Sequence, residues 1–287
     1  MDIASCSLWE SYPAPSHTYR PAAFCTIKLI LLTEQGATMN FGEAFQAKLA
    51  ATTHKYAISG AIGIDGTIYP LGSDTKVLST IFELFTRPLM LEIAAESGLQ
   101  LIEPTVQNHY PDFTLCADAT APNKIAIDVK TTYIVRPTDS FGFTLGGYTS
   151  FIRPGNERKN IVFPFTDYSE HWVIGYVYER AAEKKSAQYA VYSYEQLEEI
   201  PLPYRNVRVF VQEKWRIASD RAGSGNTTNI GSIIGKIEDF QKGNGPFRSE
   251  QEFLDYWRNY GRTAADRGTT FKNITEYRAM REGFTQT

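Results

Sequence analysis

The chain has 287 residues, 43% of them hydrophobic, and a formal net charge of −3. This length and composition indicate a globular protein with one large domain or two small ones. The longest apolar run, TIKLILL at 26–32, is too short to cross a bilayer and has no signal-peptide cleavage site after it, so we expect a cytoplasmic protein. The negative charge speaks against non-specific nucleic-acid binding, although carboxylates gathered around a metal ion would lower the sum without repelling DNA.

Cysteine and histidine spacing argues against two common kinds of site. Cys6, Cys25 and Cys116 are odd in number and widely spaced, which fits neither a disulfide framework nor a zinc knuckle. The four histidines show no HExxH or other metal-ligand spacing. Neither residue type predicts a redox or metal centre.

The first 38 residues differ in composition from the rest of the chain. They are rich in Pro, Ser and Ala and have no sustained periodicity, which predicts a disordered or loosely attached segment. Met39 then opens a region that reads as structured. We therefore interpret 39–287 as the folded domain and 1–38 as an extension that is disordered or that results from a misassigned start.

A short helix and a hairpin come first in the predicted domain. Aromatic and apolar residues recur at helical spacing over 40–52, which predicts an amphipathic helix. Asp65 and Gly66 separate two apolar segments and supply the positive φ angles of a tight turn, so a β-hairpin is expected there.

A second, longer helix is predicted from Ser73 to about Ser97. Its apolar residues share one side, and Pro88 is expected to kink or break it. Glu83 falls on the opposite, polar side together with two other polar residues. Taken by itself, this side is interpreted as a solvated face, because glutamate is rarely buried.

Strands are predicted over the middle of the chain and helices over its last quarter. The strand predictions cover 111–116, 125–133, 160–165, 172–178 and 206–212. Ser249 and Glu252 form a capping box, and the helix after them carries an aromatic stripe that we assign to the core rather than to base stacking. Strands mixed with helices predict an α/β fold with a mixed central β-sheet flanked by helices.

Two of the predicted strands bring charged residues together. Turn residues separate 111–116 from 125–130, so the two strands are expected to pair antiparallel. Alignment of their apolar faces sets Asp112 directly opposite Asp128, with Cβ atoms about 4.5 to 5.5 Å apart. Lys130 lies on the same face, roughly 6.5 Å further along the strand. Like charges at that spacing need a compensating cation.

A divalent metal would compensate this pair more fully than the lysine does. Two carboxylates, with water or phosphate oxygens in the remaining positions, form the ligand set that Mg²⁺ prefers. A neighbouring lysine can orient a water molecule and stabilise negative charge that develops on phosphorus. The chemistry indicated is metal-assisted phosphodiester hydrolysis, and the simpler alternative is a hairpin with a wet polar face.

The loop GSGNTTNIGS at 223–232 is the second candidate functional element. It lacks the ending of a phosphate-binding loop and does not match GxGxxG, which disfavours nucleotide binding. Its glycines allow close backbone approach, asparagine carboxamides pair with adenine, and threonine methyl groups contact the methyl group of thymine. The loop is either a flexible turn or a segment that reads DNA bases.

These residues resemble a known family. The pair Pro111-Asp112 with the DVK sequence at 128–130 is similar to the motif of the PD-(D/E)xK nucleases. The longer resemblance is to type II restriction endonucleases of that superfamily and covers essentially 39–287. It is carried by LGSDTKVLSTIFELF (71–85), QNHYPDFTL (107–115), FTLGGYTSFIR (143–153), AGSGNTTNIGS (222–232) and LDYWRNY (254–260).

The resemblance implies roles for the charged residues. Asp112 and Asp128 would be Mg²⁺ ligands, and Lys130 would assist the attacking water. Glu83 would be an accessory carboxylate at the metal site, both as a catalytic residue and as a metal ligand. This role replaces the interpretation of the Glu83 side of the helix as a solvated face.

The resemblance also implies which residues contact DNA. Gln107 and Asn108 would approach from the minor groove. The loop would read base edges in the major groove through Gly223, Gly225, Asn226, Thr227 and Asn229. The region 39–287 would then carry the endonuclease domain with its dimerisation and DNA-reading elements.

The function implied is that of a homodimeric, Mg²⁺-dependent endonuclease. It would cut double-stranded GATATC at the centre to leave blunt 5′-phosphate and 3′-hydroxyl ends, in a cell that also holds a cognate DNA methyltransferase. One alternative is a structure-specific repair or recombination nuclease, which would depend on junctions rather than on sequence. Another is a sequence-specific DNA-binding protein that does not cleave, although such a protein has no need of the carboxylate pair and the lysine.

Overall fold

Runs of β-branched and aromatic residues build the long strands of the chain, because such side chains pack well on a pleated surface. The computed structural model describes residues 39–52, 56–106, 108–134, 138–181, 190–226, 228–261, 265, 268 and 270–285. Its strands are β1 (Gly60–Ile62), β2 (Ile68–Pro70), β3 (Gln100–Ile102), β4 (Phe113–Cys116), β5 (Lys124–Tyr133), β6 (Tyr168–Arg180), β7 (Tyr204–Glu213), β8 (Ala218–Ala222) and β9 (Ile230–Ser232). Its α-helices are α1 (Phe41–Ala51), α2 (Thr75–Ser97), α3 (Lys214–Ile217), α4 (Ile237–Lys242), α5 (Glu250–Asn259) and α6 (Ile274–Thr285).

The central sheet is mixed, as predicted. Its five strands lie in the order β3-β4-β5-β6-β7. β5 and β6 run parallel, whereas the other neighbours are antiparallel. The hairpin β1-β2 and the pair β8-β9 form separate two-stranded sheets. By its internal contacts, Met39–Thr287 forms one compact unit.

Both faces of the central sheet are covered. One face packs on α1 and α2 through a core that includes Phe45, Phe82 and Ile127. The other packs on the C-terminal helices through an aromatic core that includes Tyr256 and Trp257. The interpretation of the β4-β5 pair as a hairpin with a wet polar face is therefore wrong, because the side facing the second core is buried as well.

Helix α2 confirms the predicted long helix but not the expected break. Asp74 caps its start by accepting hydrogen bonds from the N–H groups of Lys76 and Val77 at 2.9 and 3.3 Å, and Gly98 ends it with a φ of 65°. The helix continues through Pro88. A proline removes one backbone hydrogen bond, and here that loss is offset by the buried residues on either side of it.

Most predicted strands are confirmed with shifted ends, and one is wrong. The prediction for 160–165 fails because Ile161 makes only an isolated bridge to Tyr110, and a 3-10 turn at Phe165–Asp167 follows. Pro164 has no N–H for a sheet ladder, and Asn160 has a φ of 58°, which an extended strand does not accommodate. Strands β3, β8 and β9 were not predicted.

The C-terminal helix α5 begins where its cap predicts. The Oγ of Ser249 accepts the N–H of Glu252 at 3.1 Å, and the aromatic stripe is buried, as expected for core residues. None of the helices in the described part of the chain is long and apolar enough to span a membrane. The predictions made for 1–38 lie outside the described residues.

Candidate active site

The register between β4 and β5 brings two acidic residues together. Phe113 lies opposite Ile127, which is the predicted pairing. Continued by one residue beyond the start of β4, this register sets Asp112 opposite Asp128. Asp112 is also tied to β5 directly, because its Oδ2 accepts the backbone N–H of Val129 at 2.6 Å.

Asp128 is buried and lies between two lysines. The Nζ of Lys130 is 2.7 Å from its Oδ1, and the Nζ of Lys214 is 2.9 Å from its Oδ2. Lys130 belongs to the predicted motif. Lys214, the first residue of α3, was not predicted as a site residue. A lysine after a strand with clear alternation is expected to reach solvent, and no sequence signal marks this one as buried.

The two carboxyl groups have opposite electrostatic surroundings. Burial by itself would raise the pKa of Asp128, but the ammonium groups of Lys130 and Lys214 outweigh it and hold the pKa below its usual range. Burial and the negative charge of Asp128 raise the pKa of Asp112 above its usual range. The charge of the Asp128 carboxylate is thus neutralised by two lysines, whereas the Asp112 carboxylate lacks sufficient positive charge beside it.

The two lysines also differ. Burial opposes the charge of Lys130, but Asp128 and Asp112 outweigh it and raise its pKa. Burial lowers the pKa of Lys214 to about 8 despite the carboxylate beside it. At neutral pH both lysines are therefore charged, and the pairs with Asp128 are ion pairs.

Glu83 lies close enough to influence this cluster electrostatically. Burial raises its pKa, the charge of Lys130 lowers it, and Asp128 raises it further. The solvated-face interpretation fails because Glu83 is partly buried on α2. Among the described residues, however, no three His, Cys, Asp or Glu side chains are gathered closely enough to hold a metal ion together. The ligand role of Glu83 stays a prediction.

The pair formed by Asp112 and Asp128 fits a Mg²⁺ ion. Mg²⁺ is usually held by one or two carboxylates, with water and substrate phosphate in its other positions, so a cage of three protein ligands is not required. The ammonium of Lys130 already occupies the position of a cation on the outer oxygen of Asp128. The raised pKa of Asp112 shows that its ionised form is disfavoured, and a further positive charge beside it would stabilise that form.

A cleft of about 460 Å³ joins the charged cluster to the predicted DNA-contacting elements. Asp112, Asp128 and Lys130 line it on one side. Asn108, Asn226 and Asn229 line it as well, with Lys159 as a further cation that the sequence analysis did not single out. The cleft therefore brings together most of the predicted site residues.

The glycine loop is shaped by its own hydrogen bonds. Gly223 N–H donates to the carbonyl of Asn229 at 2.9 Å, and Asn229 N–H donates to the carbonyl of Asn226 at 2.9 Å. Gly225 has a φ of 85°. A Cβ on Gly223 would lie 2.9 Å from the carbonyl oxygen of Ile230, so no larger residue fits without a backbone shift. The described residues of the loop are thus joined in a turn by their own backbone hydrogen bonds.

Residues 145–149 form hydrogen bonds to the base of this loop. The N–H of Leu145 donates to the carbonyl of Ile230 at 2.8 Å, and the N–H of Ile230 donates to the carbonyl of Gly146 at 3.1 Å. The hydroxyl of Thr149 donates to the carbonyl of Thr228 at 2.9 Å. The loop is exposed at its tip, and its base is fixed to the segment that lines the cleft.

Two predicted DNA contacts, Gln107 and Thr227, lie outside the described residues. Asn108 and Asn226 are exposed beside them. The carboxamide of Asn229 donates from Nδ2 to the carbonyl of Ser224 at 2.7 Å, so it helps to shape the loop. Six of the described candidates line one cleft, namely Asn108, Asp112, Asp128, Lys130, Asn226 and Asn229. Glu83, Gly223 and Gly225 do not line it, and all contacts with bases stay predictions.

A mixed sheet with paired carboxylates and a lysine on its central strands, open to a cleft beside a glycine loop, is typical of endonucleases of the PD-(D/E)xK class. The family model described as restriction endonuclease EcoRV matches residues 52–282. The chain is 58% identical over 224 residues to the type II restriction enzyme EcoRV of Escherichia coli, covering 78% of this chain and 90% of that protein. The chain belongs to the EcoRV restriction endonuclease family and is a type II restriction endonuclease.

A solved structure is also similar in part. The NlaIV restriction endonuclease has a TM-score of 0.40 and 12% sequence identity, over 84% of this chain and 88% of that one. The family assignment depends on the sequence matches.

Proposed function

We propose that the chain is a Mg²⁺-dependent enzyme that cuts duplex DNA at the centre of GATATC, leaving blunt 5′-phosphate and 3′-hydroxyl ends. The observation that carries this proposal is the single cleft lined by Asp112, Asp128 and Lys130 together with loop residues Asn226 and Asn229. DNA as the partner follows from membership of the family. The target sequence is what the resemblance of the AGSGNTTNIGS loop to that family implies.

The residues of the cleft divide the chemistry between them. A Mg²⁺ ion held by Asp112 and Asp128 would supply positive charge at the scissile phosphate. Lys130 would leave the outer oxygen of Asp128 and use its ammonium to orient the attacking water in line with the leaving oxygen. The same ammonium would stabilise the negative charge that develops on the phosphate. Glu83 would act as an accessory carboxylate beside Lys130.

The reading elements would position the duplex. Asn108, with Gln107 beside it in sequence, would approach from the minor groove, and the 223–229 loop would enter the major groove. There the backbone of Gly223 and Gly225 would come close to the base edges, and Thr227 and the two loop asparagines would provide contacts. Because these donors are backbone and amide groups, sequence reading does not need a strongly basic chain.

The test is digestion of a linear duplex that holds a single GATATC, beside a duplex with one base pair of that site changed. Each is incubated with and without Mg²⁺. The proposal predicts blunt cutting of the first duplex alone and only with Mg²⁺. Equal cutting of both duplexes would refute the sequence assignment, and cutting without a divalent cation would refute the metal assignment.

We also propose that residues 39–287 form the endonuclease domain and that it acts as a homodimer. The β1-β2 hairpin exposes Ile62 and Ile64, at 71% and 111% relative exposure, and Tyr69. Tyr192 joins this hairpin through two backbone hydrogen bonds to Ile68, at 2.8 and 3.0 Å, which brings the exposed side chain of Tyr194 into the same region. Exposed apolar patches of this kind mark interfaces.

A two-fold dimer suits a palindromic target, since each subunit then meets the same half-site. We predict that I62D combined with I64D converts the dimer to a monomer and abolishes double-strand cutting, measured by sedimentation velocity and digestion. The matched control is I234D, because Ile234 is equally exposed but lies after β9. A hairpin variant that remains dimeric would contradict the assignment of this surface.

A cognate DNA methyltransferase would be required in the same cell, because GATATC sites in the genome would otherwise be cut. We accordingly propose that the enzyme acts in the cytoplasm, beside the DNA that the methyltransferase protects.

A further inference from the structure

Lys214 is the part of the charged cluster that the proposed mechanism does not use. Its side chain is 1% exposed, and its Nζ lies 2.9 Å from Oδ2 of Asp128. It belongs neither to the PD-(D/E)xK motif nor to the reading loop. It joins the site from a different part of the fold, because β7 ends at Glu213 and α3 begins with Lys214 itself.

The surroundings of Lys214 suit a positively charged ammonium at neutral pH. Its Nζ lies 4.1 Å from the centre of the Tyr110 ring and 4.8 Å from that of the Tyr148 ring. It also donates to the carbonyl of Leu145 at 3.4 Å. Two ring faces, a carbonyl and a carboxylate all present negative charge to the same ammonium. Nearby, His171 is buried, and burial together with Lys214 lowers its pKa to about 3, so it adds no positive charge.

Stability alone is a weak reason for this arrangement. Removing a lysine from water costs several kcal/mol, and apolar residues of similar volume often replace buried ion pairs without loss of stability. An ammonium held by four partners does, however, fix the orientation of the carboxylate that it contacts. The residue whose orientation matters here is Asp128, the proposed cation ligand on β5.

The two oxygens of Asp128 are divided between the two lysines. Oδ1 contacts Lys130, whose side chain is 21% exposed at the cleft. Oδ2 contacts Lys214, which has almost no exposed surface. A cation that enters from the cleft therefore reaches Oδ1 and has to displace only the more exposed lysine.

We propose that Lys214 is a positioning residue that holds Oδ2 of Asp128 inside the fold, so that Asp128 presents Oδ1 alone to a cation. This inference rests on the proposed function, since it assumes that Asp128 is a cation ligand. Lys214 does not touch the phosphate and is not a catalytic residue. It acts through the carboxylate, in the way that outer partners orient metal ligands in other sites.

The test compares two buried lysines. Lys124 is a matched control because its side chain is 0% exposed, its Nζ lies 3.8 Å from Asp167 and it stands 4.6 Å from the centre of the Phe163 ring. It is the first residue of β5 and does not line the cleft. K214M and K124M each remove a buried ammonium and keep much of the side-chain volume.

Three quantities are measured for wild type, K214M and K124M: the single-turnover cleavage rate with Mg²⁺, the affinity for Ca²⁺ by calorimetry, and the dissociation constant for DNA. We expect K214M to lower both the rate and the Ca²⁺ affinity by about 10- to 100-fold, as substitutions of outer partners do. Its metal-free DNA binding should be unchanged. K124M should keep the wild-type rate and Ca²⁺ affinity, whatever its melting temperature.

A K214M enzyme with the rate and Ca²⁺ affinity of wild type would overturn the inference and leave the proposed function intact. Wild type that neither binds Ca²⁺ nor cuts with Mg²⁺ would instead refute the proposed function. If K214M does not fold, a crystal structure of wild type with Ca²⁺ decides the matter. We expect Oδ1 of Asp128 on the ion and Oδ2 still on Lys214, whereas both oxygens on the ion would overturn the inference.

Discussion

The two sides of the cleft are built on different physical principles. The cutting side consists of side-chain charges on the central sheet, where Asp128 is neutralised by Lys130 and Lys214. The reading side is an exposed loop whose shape comes from backbone hydrogen bonds around Gly223 and Gly225. The proposed function thus assigns chemistry to buried charge and recognition to the backbone path.

This difference explains how a chain with a net charge of −3 can act on DNA. Asp112 and Asp128 lie where a divalent cation is expected, and a bound cation would reverse the sign of the local field. The proposed reading loop would use amide groups, which can read base edges without adding charge. The two sides should therefore fail in different ways when each is altered.

The largest expected effect is on the cutting side. D128N removes the negative charge that holds both lysines and the proposed cation. We expect the cleavage rate to fall by about 10³-fold, because several kcal/mol of charge stabilisation in the transition state is lost and each 1.36 kcal/mol changes the rate tenfold. Single-turnover cleavage of the GATATC duplex measures this. D118N is the control, because Asp118 lies on the exposed turn after β4 and only caps that turn.

A D128N enzyme that cuts at the wild-type rate would show that the buried cluster is structural. A D118N enzyme as impaired as D128N would show that the loss is not specific to the cleft.

The next effect concerns the reading side. G223A places a Cβ 2.9 Å from the carbonyl oxygen of Ile230, so the base of the loop has to shift. We expect the preference for GATATC over a singly changed site to drop by about 10- to 100-fold, because a good base contact contributes about 1 to 3 kcal/mol. The ratio of cleavage rates on the two duplexes measures this preference.

G72A is the matched control for the loop variant, because a Cβ on Gly72 meets no atom within 4 Å. It should keep the wild-type preference. An unchanged preference in G223A would show that the backbone at this position does not take part in reading.

The smallest effect is a pH dependence of the cutting side. Burial and the negative charge of Asp128 raise the pKa of the Asp112 carboxyl group in the native state. Between about pH 4, the pKa of an unfolded aspartate, and the raised native pKa, the native state therefore binds more protons than the unfolded chain. The stability of the cation-free enzyme therefore falls as the pH rises, and a cation restores it. We expect Ca²⁺ to raise the melting temperature by about 2 to 4 °C more at pH 8 than at pH 5.

D112N should remove this pH difference, because an amide neither titrates nor supplies the negative charge of the proposed cation ligand. A gain from Ca²⁺ that is as large at pH 5 as at pH 8 would contradict the account of Asp112.

Local sequence patterns were enough to predict the register that builds the carboxylate pair. The apolar faces of β4 and β5 have a period of two, so one alignment buries them and also sets Asp112 beside Asp128. Local sequence also placed the cap of α5 at Ser249, because a cap is a contact between near neighbours in sequence.

Long-range contacts could not be predicted in this way. Lys214 is 86 residues from Asp128 along the chain, and their contact depends on how β7 and α3 join the sheet. The failed strand at 160–165 has the composition of a strand, but its proline and a left-handed Asn160 redirect the backbone. The β-propensity of a segment predicts its structure poorly where tertiary packing determines the path of the backbone.

The most direct test of the central claim measures the ratio of cleavage rates on the GATATC duplex and the singly changed duplex, for D128N and G223A side by side with wild type. The account predicts that D128N slows both duplexes by a similar factor and keeps the ratio, whereas G223A reduces the ratio. If D128N lost the ratio while G223A kept it, cutting and reading would not be separate properties of the two sides of the cleft.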